Sequence, residues 1–348
     1  MKTMNTILSL LIILLFSTLN AQELGDFKPK DNTYKAKLLN KGSKKLYIAS
    51  FTINFETYKE AIDKKKAGGF RNTIKNAAKA KAAIGLGSLD KEALQSKADQ
   101  LYIEFVEEMK GKGYEIISAE EAGKTEVYQG YKSMTGPTIF ETDMTGILSV
   151  VPTGYSFYYK DRTAFTNQFG GVSKVPQNLS KELNDALIAD ISLNYIFSET
   201  GADWNVGNQA KVKLFVNYRL ANQFTVSDEN TGTTLTSFVD KSQQSVGLSS
   251  FVQFTKGKLK IGGSAESQYT GIMKSDLEIN DVLPKEKVVA YSSQTIATAT
   301  SINPIVTIRG SNYSEKTKWL EPDGVKYAKG MYLAGSKFIN YHLNEVFE

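Results

Sequence analysis

The feature that most restricts how this chain can fold is the absence of cysteine from its 348 residues. Without cysteine the chain forms no disulfide, no thiolate zinc site and no cysteine nucleophile, so an ordinary hydrophobic core must hold it together. A chain of this length can bury such a core. Membrane attachment through an acylated cysteine is excluded for the same reason.

Residues Met1 to Ala21 have the pattern of a secretory signal peptide. Lys2 supplies a positive charge, and the apolar run Ile7–Phe16 follows it. About ten apolar residues are too few to span a bilayer, which needs about 20. Cleavage before Gln22 is expected, although Leu19 departs from the preferred small residues and leaves the cleavage point open; a retained anchor is the alternative.

An export signal on a cysteine-free chain favours a bacterial envelope over a eukaryotic secretory route, where disulfides are common. The expected location is therefore the periplasm, the outer membrane or the outside. The formal net charge of +5 becomes +4 once Lys2 is removed, and it is spread over many lysines. Nucleic acid is not an expected partner of such a chain, whereas peripheral contact with a membrane stays open.

The first half of the mature sequence predicts one strand and one long helix. A polar lead-in over residues 22–44 precedes the strand Lys45–Phe55, in which one face is strongly apolar through Tyr47, Ala49, Phe51, Ile53 and Phe55. Residues 59–84 are rich in Lys and Ala, and we expect a broken helix or a mobile loop there. An amphipathic helix is predicted at about 89–110, with an apolar stripe formed by Leu94, Ala98, Leu101, Phe105 and Met109.

Beyond Val127 the composition shifts to Thr, Ser, Tyr, Gly and β-branched residues, which predicts a β-rich half. The expected elements are short strands at 147–151 and 155–159, a helix at 179–187, paired strands at 188–197 and 211–220, a hairpin of 251–254 with 259–261, a strand at 305–308 and a closing helix at 327–347.

These elements predict the α+β class: a mixed sheet with one long amphipathic helix (about 89–110), followed by a β-rich C-terminal half. Residues 45–220 are expected to form an α/β domain. Residues 221–348 form a β-rich region with a C-terminal helix, either as a separate domain or within the same one.

The order of the elements resembles a known envelope domain. A strand at 45–55, a helix at 89–110 ending in GKGYEII, and a helix at 180–187 leading into paired strands are arranged as in the α/β domain of the curli-secretion pore lipoprotein and the TolB amino-terminal domain. The segment YEIISAEE (114–121) matches the short strand and acidic residues after the helix. The resemblance covers residues 45–220, and the lipid-bearing cysteine of the pore protein is missing. It implies an envelope protein that assembles or binds partners.

Catalytic and metal-binding patterns are scarce. His342 is the single histidine, which leaves no partner for a histidine-based triad or a multi-histidine metal site. The Gly85–Gly87 and Asp228–Gly232 segments are better explained as turns than as a phosphate or calcium loop. We therefore predict no catalytic residue, no metal and no cofactor. A pair of carboxylates for glycoside hydrolysis stays open, with candidates Glu120, Glu121, Glu141, Asp143, Asp190 and Asp203.

Aromatic residues give the best candidates for binding. Tyr155, Tyr158, Tyr159 and Trp204 are predicted as ligand-binding residues, because exposed tyrosine and tryptophan suit protein or carbohydrate contacts. The alternative is that some of the tyrosines fill a β core. The sequence thus favours a non-catalytic envelope protein that binds another envelope protein or associates with itself. The second hypothesis is a polysaccharide-binding protein or a glycoside hydrolase.

Overall fold

The computed structural model describes residues 23–65, 78–142, 146–159, 174–201, 211–228, 244–257, 266–291 and 317–348. Several sequence expectations lie outside these ranges: the signal peptide, Asp143, Asp203, Trp204, and the strands at 259–261 and 305–308.

The described chain mixes helices and strands, as the sequence predicted. The helices are α1 (Lys91–Gly111), α2 (Ala119–Ala122), α3 (Val175–Glu182) and α4 (Gly324–Phe347). The strands are β1 (Pro29–Tyr34), β2 (Lys45–Glu56), β3 (Tyr58–Lys65), β4 (Ala78–Leu86), β5 (Glu115–Ile116), β6 (Lys132–Thr135), β7 (Thr138–Glu141), β8 (Ile147–Val151), β9 (Ser156–Tyr159), β10 (Leu187–Gly201), β11 (Lys211–Leu220), β12 (Gln223–Asp228), β13 (Gln244–Ser249), β14 (Phe251–Lys256), β15 (Ser267–Met273), β16 (Leu277–Glu278), β17 (Lys287–Tyr291) and β18 (Thr317–Leu320).

Among the described residues, eleven strands form one mixed sheet. Its main path runs β1-β15-β14-β10-β2-β8-β7, and β10 also pairs with β11. The central pair, β2 and β10, is parallel, whereas β10 with β14 and β2 with β8 are antiparallel. Strands from both halves of the sequence therefore lie side by side in this sheet.

Helices α1 and α4 cover one face of the main sheet. Their buried side chains join the large core cluster with Leu193, Tyr195 and Phe254 of the sheet. The Tyr195 hydroxyl donates to the Met331 carbonyl of α4 at 2.8 Å. Asp90 caps α1 by accepting from the Ala93 N–H at 2.9 Å, which satisfies one of the unpaired donors at the helix start. We call the sheet face covered by these two helices the helix face.

A β-bulge in β2 corrects the predicted orientation of its residues. Ala189 pairs with Ile48 while Asp190 pairs with Ser50, so Ala49 is the extra residue. The extra residue reverses the alternation, because side chains point to opposite faces at successive positions. Leu46 and Ile48 therefore share the helix face with Phe51, and Tyr47 lies on the opposite face in a second, smaller core. The prediction that Tyr47 and Phe51 share one face was wrong.

Two predicted segments have a different structure. Residues 59–84 were expected to be a broken helix or a mobile loop. Residues 66–77 lie outside the described ranges, but 59–65 and 78–84 lie in the antiparallel pair of β3 and β4, with Tyr58 opposite Gly85. The Lys and Ala side chains alternate along β4, so alternation outweighs the helix propensity of these residue types. Helix α3 covers Val175–Glu182 and ends before Leu187, where β10 has already begun.

Candidate functional site

Strand β7 forms one edge of the main sheet. Thr138 pairs with Val151 and Glu141 with Leu148 of β8, and within the described ranges no strand pairs with the other side of β7. Ile139 and Phe140 are half-buried. An unpaired strand presents a row of backbone N–H and C=O groups that can accept another strand.

Two contacts hold the chain around β7 in place: the backbone at Gly136 packs closely against the end of β8, and a side chain of α1 bonds to a residue just after β8. Gly136 precedes the strand, and a Cβ at this position would collide with the backbone oxygens of Val151 and Pro152. Asp99 of α1 accepts hydrogen bonds from the Thr153 N–H at 2.7 Å and the Thr153 hydroxyl at 2.8 Å. The end of β8 is therefore tied to the helix, and β7 is held beside it.

A groove of about 850 Å³ lies between α1 and β7. Its lining combines the helix residues Lys91, Gln95 and Ile103 with Thr138 and Ile139 of the strand. Ile103 leaves 56% of its surface exposed, which is large for an aliphatic side chain on a helix. We call this groove, together with the free side of β7, the edge groove.

The opposite edge of the sheet is formed by β1 and differs in chemistry. This strand begins with Pro29, Lys30 and Asp31, and every residue after Pro29 is exposed. Proline and charged side chains are the usual means of preventing an edge strand from pairing with another chain. β7 has neither proline nor lysine within the strand and carries one charged residue, Glu141, at its end, so the two edges are not equivalent.

The predicted tyrosines do not form one surface. Tyr155 is 3% exposed and packs in the main core with Phe51 and Tyr102. Tyr159 contacts Phe157, which stacks on Tyr155.

Tyr158 points to the other side of β9. It stacks on Tyr128 at 4.4 Å between ring centroids, and its hydroxyl donates to the Ala119 carbonyl at 3.0 Å. The structure therefore separates Tyr158 from Tyr155, while Trp204 lies outside the described residues.

Asp190 is the most unusual carboxylate of the described chain. Its Oδ2 is buried without a hydrogen-bond partner among the described residues, as are the hydroxyls of Tyr47 and Tyr155. Burial raises the pKa of Asp190 to about 7. Its negative charge in turn contributes to the raised pKa values of Tyr47 and Tyr155, after burial itself. Asp190 is therefore partly protonated near neutral pH.

Replacing Asp190 by asparagine is expected to stabilise the protein at high pH. In the unfolded chain this carboxyl loses its proton near pH 4, but in the fold it keeps it up to about pH 7. The folded state thus binds more protons in this window, and stability falls as the pH rises through it. Asp190→Asn removes that penalty, so urea unfolding at pH 8 should show a free energy of unfolding about 2 kcal/mol higher than that of the wild type. This value is smaller than the full pKa shift implies, because the residue is partly exposed and solvent screens its charge.

The same comparison at pH 4 provides the control, because Asp190 is then protonated in the fold and only about half ionised in the unfolded chain, so most of the penalty is absent. The gain should be much smaller there. An equal gain at both pH values would show that the carboxylate is not the cause.

The carboxylate candidates do not converge. Asp190 on β10 and Glu141 on β7 are three strand spacings apart, or about 14 Å. Glu120 and Glu121 are exposed in α2. A pair separated by 5 to 10 Å, as glycoside hydrolysis requires, is therefore not formed by Asp190 with Glu141.

The other residues that the sequence singled out, His342 and the Gly85–Gly87 segment, are packed within the fold. His342 is fully buried beside the Tyr269 hydroxyl, with 2.6 Å between the hydroxyl and Nδ1. Gly85 and Leu86 end strand β4, and Gly85 lies against the Trp319 ring. Among the described residues no group of three or more histidine or acidic side chains could hold a metal ion.

The edge groove was not predicted from the sequence. One signal was present, since Ile103 is an apolar residue outside the helical stripe of Leu94, Ala98, Leu101, Phe105 and Met109. The free side of β7 had no such signal, because whether a strand is an edge depends on the complete sheet order.

Comparisons with protein families, curated proteins and solved structures gave no match. Within the described residues, no helix has both the length and the apolar character needed to cross a membrane.

Proposed function

We propose that this chain is an exported bacterial envelope protein of the α+β class, with a long amphipathic helix and a β-rich C-terminal half, that acts without catalysis by associating with itself. The observation that carries the proposal is the edge groove: an unpaired strand edge at Thr138–Glu141 next to an exposed apolar side chain on α1. The resemblance to envelope domains that assemble or bind partners agrees with this function.

Strand addition is the kind of contact that this site suits. A partner strand would hydrogen-bond to the free backbone groups of β7, and alternate side chains would enter the groove beside α1. Ile103 and Ile139 supply apolar contact there, and Lys91, Gln95 and Ser96 supply polar contact at the rim.

A second copy of the chain is the occupant that fits the edge best. If two β7 strands pair antiparallel about a two-fold axis through Ile139, each Ile139 lies opposite its own copy and each Thr138 lies opposite a Phe140. No like charges face each other in this register, and the apolar residues meet at its centre. A dimer of this kind joins the two main sheets.

Introducing lysine at the edge groove is expected to prevent the association. Ile103→Lys combined with Thr138→Lys places positive charge on the helix side and on the strand, which opposes edge pairing. Light scattering coupled to size exclusion should give a dimer or larger assembly for the wild type and a monomer for the variant. We expect the dissociation constant to rise at least tenfold.

Val325→Lys is the matched control. Val325 is a β-branched aliphatic residue on α4 that is 66% exposed and does not line the edge groove. It should leave the assembly unchanged. A wild-type protein that stays monomeric at high concentration would contradict self-association, and capture of another envelope protein that depends on Ile103 would replace the second copy by that partner.

A further inference from the structure

Beside the second, smaller core, the face of the main sheet opposite the helix face carries rows of mostly uncharged polar side chains. The strand register places Asn32, Thr270, Gln253, Asp190 and Ser50 in one row across β1, β15, β14, β10 and β2. Asp190 is the one ionisable member of this row. Paired residues lie on the same side of a sheet, so the five side chains share a face.

The neighbouring rows also consist of uncharged polar residues. Asn194, Asn54 and Ser149 form a second row across β10, β2 and β8, in which Asn54 is half-buried and Asn194 and Ser149 are buried beneath it. Ser192 pairs with Thr52 between the two rows. We call the surface made by these rows on β15, β14, β10, β2 and β8 the amide face.

The side chains of the amide face are held in fixed positions by one another. Gln253 Oε1 accepts hydrogen bonds from Gln268 Nε2 and from the Thr270 hydroxyl, both at 3.2 Å. Asn54 Nδ2 donates to Asn194 Oδ1 at 2.9 Å. These networks reduce the conformational entropy that a ligand would otherwise have to remove.

The amide face carries fewer charged side chains than other strands of this chain do. On β11 the solvent side carries Lys211 and Lys213 between buried Val212 and Leu214. On β3 and β4, Lys81 forms an ion pair with the half-buried Glu60 at 2.8 Å. These other strand faces carry charged side chains, whereas depletion of charge is typical of a binding surface.

Asp190 adds an unsatisfied acceptor to this face. Its Oδ2 has no hydrogen-bond partner among the described residues, although neighbouring polar side chains are paired with one another. A buried acceptor without a partner is costly, so this carboxyl is held in place by the fold at the expense of stability.

We infer that the amide face binds a neutral, hydroxyl-rich polymer, namely an uncharged polysaccharide. Amides and hydroxyls offer donors and acceptors side by side, as a polyhydroxyl ligand requires. The near absence of charge excludes strong attraction for an anionic or cationic polymer. The exposed ring of Tyr34, which pairs with Gln268 at the edge, provides an apolar surface for the C–H groups of a sugar.

Binding to immobilised laminarin, mannan and soluble starch tests this inference, with alginate as the anionic comparison, at physiological salt. We expect at least one neutral polysaccharide to bind. Gln253→Ala should raise the dissociation constant at least tenfold, and Ser50→Lys should abolish binding because it places a long charged side chain in the central row. Thermal melting identifies any variant that has lost its fold.

Gln129→Ala is the matched control, since Gln129 is exposed and lies outside the amide face. Ile103→Lys should also leave polysaccharide binding unchanged, which separates this inference from self-association at the edge groove. Failure to bind any neutral polysaccharide, binding to alginate alone, or equal effects of Gln253→Ala and Gln129→Ala would each overturn it.

Discussion

Gly271→Ala is expected to destabilise the protein by about 3 kcal/mol, because it overpacks a buried contact. A Cβ at Gly271 would lie 2.7 Å from Cδ2 of His342 and still closer to Nδ1 and Cγ of the same ring. The ring cannot move aside easily, since its Nδ1 is hydrogen-bonded to the Tyr269 hydroxyl and Phe338 packs edge-on against it. Urea denaturation at neutral pH measures the loss.

Two further variants show whether the ring is the cause. Gly111→Ala, at a helix position where an added Cβ meets nothing within 4 Å, should be neutral or slightly stabilising. In the double variant Gly271→Ala with His342→Ala the clash is removed, so the two single losses should not add. Strict additivity would mean that the glycine is needed for another reason.

The second large effect is a loss of stability in acid that depends on His342. Burial lowers the pKa of His342 to about 4 in the fold, whereas in the unfolded chain the imidazole takes up a proton near pH 6.5. The unfolded state therefore binds more protons between these values, and stability falls as the pH drops through this window. The shift corresponds to about 3 kcal/mol.

His342→Phe isolates this contribution. Phenylalanine keeps an aromatic ring in the site but cannot be protonated, and at pH 8 it should cost about 1 kcal/mol through the lost hydrogen bond to Tyr269. Between pH 7 and pH 4 the variant should lose about 3 kcal/mol less stability than the wild type. Parallel stability curves would show that His342 is not the acid-sensitive group.

The sequence predicted elements whose signal is local. The alternation in Lys45–Glu56 and the spacing of apolar residues in Gly324–Phe347 are properties of single segments, and both elements are present.

Features that depend on distant segments were missed. The bulge at Ala49 arises from pairing with β10, more than a hundred residues away, so no local pattern in β2 indicates it. The edge position of β7 and the polar row through Asp190 likewise require the order of strands in the sheet. For Tyr155 and Tyr158 the alternation is local, but their burial depends on distant partners, Phe51 for Tyr155 and Tyr128 for Tyr158.

The pairing of β1 with β15 and of β2 with β10 also has a kinetic consequence. Pro29 meets Met273, and Leu46 meets Leu187, so the sheet joins segments that are far apart in the sequence. Loops of this length must close before the pairing stabilises them, and chains dominated by such contacts fold slowly. The edge strand β1 cannot pair until the chain has been synthesised as far as β15. For the export that we propose, this delay would keep the chain open while it passes through a translocation channel.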